Sequence, residues 1–151
     1  MADARPPGAL GRAARHAVRV ALGVFMIVAG VGHFTATEAF LAQTPPWLPA
    51  RELIVYASGV VEVALGLALL AWRRRRREVG WALAAFYVVI FPGNVSQLLT
   101  GTDAFGLDSD LARAVRLLFQ PVLIALALWS TGAWPPRGRT ARAGRGRADA
   151  A

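Results

Sequence analysis

Hydrophobic positions in this chain gather into four long blocks. Val20 to Thr37, Leu53 to Trp72, Val79 to Thr102 and Leu117 to Pro136 run for 18, 20, 24 and 20 residues, and apart from His33 and Glu62 they contain no acidic or basic side chain. A hydrocarbon core of about 30 Å needs roughly 20 helical residues at about 1.5 Å each. The pattern predicts four membrane spans, near 17–34, 53–72, 79–100 and 112–134. The expected fold is all-α: an integral membrane four-helix bundle over 17–134, preceded by a basic segment, 1–16, and followed by an Arg- and Gly-rich tail, 135–151, expected to be disordered.

Between the blocks, short polar stretches predict the connections. Thr35 followed by Glu38 has capping-box spacing and points to a short helix through Ala39 to Gln43. The run Thr44, Pro45, Pro46, Trp47, Leu48, Pro49 then forbids helix and sets an aromatic ring at interface depth, so the whole segment reads as a lid over one end of the bundle. In the loop before the last span, Asp108 or Ser109 suits a helix cap, and Asp110 suits the positive helix terminus.

The arginines orient this bundle. Fourteen of 17 fall before the first span, between the second and third, or after the fourth. The positive-inside bias therefore puts both termini in the cytoplasm and the Pro-rich lid outside. A cleaved secretory signal is the competing reading of the basic start, but no A-x-A site follows it.

Composition narrows the chemistry. With 56% apolar residues and 17% charged, little of the chain is left for a soluble domain. There is no cysteine, which excludes thiol exchange and thiolate-held clusters, and two histidines argue against a self-contained haem or zinc site. The formal charge of +8 comes wholly from Arg, with no Lys, in an Ala- and Gly-rich chain. That is a compositional bias, and no nucleic-acid partner is expected. The sequence contains neither a phosphate-binding glycine loop nor an evident internal repeat.

Polar side chains inside a span cost several kcal/mol unless paired, so each is a candidate site residue. Glu62 lies mid-span, and Gly59 and Gly66 share its helical face, which turns it toward a neighbouring helix. Gly23, Gly30 and His33 share a face in the first span, Tyr87 and Asn94 in the third with Gln97 alongside, and Arg113, Arg116 and Gln120 in the fourth. His33, Glu62, Asn94, Arg116 and Gln120 are expected to converge in the outer half. Pro92 and Pro121 are expected to kink their helices there, freeing the carbonyls of Val88 and Leu117. Two readings compete. In one the groups bind a ligand; in the other they form a structural network, with Glu62 paired to Arg116 while Asn94 and Gln120 bridge helices.

The ordered set Gly32-His33-Phe34, Pro45 to Pro49, Ser58-Gly59-Val60-Val61-Glu62 with Gly66-Leu67, Val89 to Asn94, and Arg116-Leu117 through Gln120 resembles the DoxX-like membrane proteins over about residues 16 to 134. Gly93 stands where that pattern usually has another small residue, often alanine. The resemblance implies a four-helix protein of the bacterial cytoplasmic membrane, associated with membrane redox systems. The cysteine chemistry of some such relatives is absent here. The leading expectation is an accessory subunit, without catalysis of its own, that binds a quinone-like molecule through Glu62 and His33 and works with a membrane oxidoreductase. The alternatives are a small proton-coupled transporter acting as a dimer, and a purely structural membrane module.

Overall fold

A computed structural model describes residues 8–134; the segments 1–7 and 135–151, with the tail expected to be disordered, lie outside the described residues. Five helices follow one another: α1 (Ala9–Thr35), α2 (Thr37–Gln43), α3 (Arg51–Ala71), α4 (Arg76–Thr100) and α5 (Asp110–Thr131). α1, α3, α4 and α5 are long and apolar enough to cross a membrane, and α2 is the short helix between the first two of them. The fold is thus an all-α four-helix bundle, the architecture of a multi-pass membrane protein. Large apolar side chains such as Val28, Val60, Val88, Val89 and Leu118 stay more than half exposed. A bilayer accommodates such a surface, whereas water does not.

Two tightly packed pairs make up the bundle: α1 on α3 and α4 on α5. Small residues decide the first pairing. A Cβ added to Gly30 would stand 2.7 Å from the Gly59 carbonyl oxygen, and one added to Gly66 would stand 2.7 Å from that of Gly23. The two backbones therefore touch directly, as small-residue stripes allow in membranes. In the second pair, Gly80 lies against Thr131, whose hydroxyl is turned back onto the Ala127 carbonyl at 2.7 Å. Leu22, Met26, Leu69, Leu83, Tyr87 and Ala127 fill the space where the pairs meet.

Helix ends differ in part from the sequence-based expectation. α1 begins at Ala9, upstream of the expected span, so the basic stretch containing Arg12 and Arg15 is already helical. It runs through Thr35, whose hydroxyl bonds back to the Val31 carbonyl; Ala36 is the N-cap of α2, and no capping box forms. Ser109 does cap α5, accepting from the Ala112 amide at 3.3 Å. α4 and α5 end on Gly101 (φ 62°) and Gly132 (φ 72°), left-handed positions that favour glycine. Amides of the following residues, Thr102 and Ala133, donate to the carbonyls of Gln97 and Leu128. Pro92 and Pro121 sit inside helices that remain continuous through them.

Candidate functional site

The site lies at the end of the bundle covered by α2. α1 brings His33, α3 brings Glu62, α4 brings Asn94, and α5 brings Arg116 and Gln120. Each comes from the polar position of an otherwise apolar helix, and His33, Glu62 and Gln120 are buried.

Glu62 faces α1 because the contacts at Gly59 and Gly66 fix the rotation of α3. Its Oε2 lies 3.5 Å from His33 Nδ1, yet that nitrogen is hydrogen-bonded to the Ala29 carbonyl at 2.9 Å. The Nδ1 proton is thus directed into the backbone of α1, and Oε2 is buried without a hydrogen-bond partner. Such an atom is costly in a dry environment and marks a place where a ligand group or proton fits.

The expected pairing of Glu62 with Arg116 does not form. Arg116 Nη2 instead donates to Gln43 Oε1 at 2.6 Å, and its guanidinium lies over the Phe105 ring at 5.5 Å. The cause is α2, which folds back over the bundle end and offers a neutral acceptor before the carboxylate. Asn94 and Gln120 bridge α4 and α5: Asn94 Nδ2 donates to Gln120 Oε1, and Gln120 Nε2 donates to the Tyr87 carbonyl. The backbone acceptor used is therefore that of Tyr87 rather than that of Val88, which Pro92 leaves without its helical donor. Tyr87 in turn donates its hydroxyl to Met26 Sδ at 3.3 Å, joining the two helix pairs. Gln97, also polar and fully buried, binds the Thr102 carbonyl at the helix end and stays outside this cluster.

Several contributors were not among the candidates read from sequence. Phe40 stacks on the His33 ring with centroids 3.7 Å apart, and Phe105 meets Phe40 edge-on at 4.8 Å. Arg51, at the start of α3, donates to the carbonyls of Leu41 and Thr44 and so satisfies the C-terminus of α2. Arg113 is buried between Asp103 and Asp110, which fasten the α4–α5 loop beside the lid. Arg113, by contrast, is legible in the sequence on the polar stripe of the last span and Asp110 at its start; their ion pair follows from a spacing of three on one helix.

Two cavities open from this cluster. The larger, about 420 Å³, lies among α1, α4 and α5 and is walled by Phe25, Ala29, Tyr87, Phe119 and Leu123. The smaller, about 200 Å³, lies under the Pro-rich segment, between Pro45, Leu48, Ser58 and Pro92, and includes His33 and Gln43. Phe40, Glu62, Ile90, Asn94 and Arg116 border both. The arrangement is an apolar chamber with a few polar groups at one end, the usual form of a site for a lipid-soluble molecule with a polar head. The polar groups bordering the larger chamber are a carboxyl, two amides, a phenol and a guanidinium, from Glu62, Asn94, Gln120, Tyr87 and Arg116. Among the described residues, no three His, Asp or Glu side chains converge as metal ligands.

A family model described as Domain of unknown function (DUF8561) matches residues 22–131, from the middle of α1 to the end of α5, and takes in every residue of the site. No curated protein and no solved structure matches the chain.

Proposed function

The chain belongs to the DUF8561 family, and from that premise we propose that it is a ligand-binding accessory subunit of a bacterial membrane redox system, akin to the DoxX-like proteins. The ligand is a quinone-like molecule held in the larger cavity. The observation that carries this reading is the Glu62 carboxyl, buried with an unpartnered oxygen at the polar end of an apolar chamber. A quinone would supply two-electron carrier chemistry; the protein's own part is binding and orientation. Glu62, in its protonated form, and the Asn94 amide donate hydrogen bonds to a ring carbonyl, and Arg116, steadied by Gln43, favours negative charge developing on the ring oxygen. Phe25, Phe119 and Leu123 exclude water and suit an apolar ring or chain. Since the sequence has no cysteine for thiol-based electron transfer, a membrane oxidoreductase is the partner to seek.

The same reading sets the bundle in the plasma membrane with α2 outside and both termini in the cytoplasm, because the arginines gather at the opposite end. The test is extraction and mass spectrometry of quinones and lipids from wild-type and Glu62→Gln protein purified in mild detergent. Stoichiometric quinone in the wild type that falls in the variant is the expected result. Quinone in neither sample would overturn the reading.

One observation favours a second reading, a small proton-coupled transporter acting as a dimer. Glu62 borders both cavities, one beneath the lid and one within the bundle, as a carboxyl exchanging a proton between two compartments must. Substrate-stimulated proton flux in liposomes that is lost in Glu62→Gln is its signature.

A further inference from the structure

At the end of the bundle opposite α2, the structure gathers several arginines, one of them buried. Arg19 is on α1, well inside the helix, and is only 7% exposed. Its Nη2 bonds to His16 Nδ1 at 3.0 Å, while its buried Nε has no hydrogen-bond partner. Because a guanidinium has only donors, His16 Nδ1 must be the acceptor, so this contact brings no negative charge. Gly23, one turn along α1 from Arg19, packs against Leu70, so Arg19 lies beside the end of α3 that leads on to Arg73 and Arg76. The carboxylate paired here among the described residues is Glu78, 3.9 Å from Arg75, with both side chains exposed.

A buried guanidinium N–H without a partner, with further arginines at the adjoining helix ends, offers a place for an anion. α4 adds to it: the helix starts at Arg76, its N-cap is Arg75, and no side chain accepts from its first amides. Free amides at a helix N-terminus favour the same kind of ligand.

The surroundings identify the anion's source. Trp72 and Trp81 lie at this end, at the margins of apolar helices, the level at which indoles meet lipid headgroups. A groove of about 560 Å³ starts at Arg75 and Glu78 and runs between α3 and α4 along Leu65, Ala68, Val79 and Ala82. It is open and apolar, the shape of an acyl chain. Arg75 precedes Arg76 directly, so the mouth of the groove adjoins the arginines. We propose that Arg19, Arg73 and Arg76 bind the phosphodiester of an anionic phospholipid, one acyl chain of which lies in the groove between α3 and α4. This site is independent of the cavity at Glu62 and stands or falls separately from the reading given to it.

Native mass spectrometry of the full chain in mild detergent tests the proposal, with dioleoylphosphatidylglycerol and dioleoylphosphatidylcholine as probes. The wild type is expected to hold the anionic lipid at least about tenfold more tightly than the zwitterionic one, with about a fivefold loss for each guanidinium removed. Arg19→Gln and the double variant Arg73→Gln/Arg76→Gln are the two substitutions. The double variant alters exposed side chains outside the core and keeps the test decisive if Arg19→Gln does not fold. Equal affinity for the two lipids, or a preference that survives the double variant, overturns the site. A short-chain phosphatidylglycerol is expected to bind more weakly than the dioleoyl form; equal binding removes the groove from the proposal. Millimolar inorganic phosphate is expected to leave the bound lipid in place, and complete displacement would assign the arginines to a soluble anion instead.

Discussion

At the scale of single residues, the main difference between sequence and structure concerns the partner of Arg116. Charge pattern alone favours Glu62, since opposite charges in lipid attract strongly, but no sequence rule says that a short helix will return to offer Gln43 first. A double-mutant cycle separates the two. Gln43→Leu with Arg116→Met is expected to give a coupling of about 1 kcal/mol in detergent unfolding, in the range of hydrogen bonds within membrane proteins. Glu62→Gln with Arg116→Met is expected to give coupling near zero, and a value above that of the first cycle would restore the direct pair. Glu62 itself was legible: glycines three before and four after it mark a face that must meet another helix, and burial follows.

At the scale of elements, glycine positions that look alike in sequence have different consequences. Gly66→Ala would press a methyl group onto the backbone carbonyl of Gly23, which cannot swing aside, so a loss of about 1–3 kcal/mol is expected in unfolding experiments. Gly93→Ala meets nothing nearer than the Gln43 carbonyl oxygen at 3.6 Å, an ordinary contact. Removing a glycine from a helix then raises stability by about 0.5–1 kcal/mol, and the same unfolding assay reads both variants. Helix extents were legible to within about three residues at the ends of α4 and α5, expected at 100 and 134 and observed at Thr100 and Thr131. They were not at Thr35, where capping-box spacing suggested a new start but α1 continues through that residue and Ala36 precedes α2. Spacing identifies what a residue can cap, while the path of the preceding helix decides whether it does.

At the scale of the whole molecule, four spans follow from hydropathy and a lid from its short helix and prolines, whereas the contacts that hold the lid down are tertiary. Phe40 against His33, Phe105 against Phe40 and Arg51 on the last carbonyls of α2 have no counterpart in local pattern. Arg51→Gln removes the charged donor that holds α2 down. Hydrogen exchange of amides in 37–44 is then expected to rise about tenfold, with the four long helices unaffected; unchanged exchange in the lid would assign its stability to the aromatic stack alone. The direct backbone contact between α1 and α3 also bears on which molecules the larger chamber can discriminate. Its wall at Ala29 and Glu62 belongs to two helices locked backbone to backbone at Gly30 with Gly59 and Gly23 with Gly66, so that wall has a fixed shape. The facing wall, at Phe119 and Leu123, is made of side chains with rotamers to spare and lipid behind them. Selectivity is therefore lopsided: a bulky group added to one edge of a bound ring is absorbed, and the same group on the opposite edge is refused.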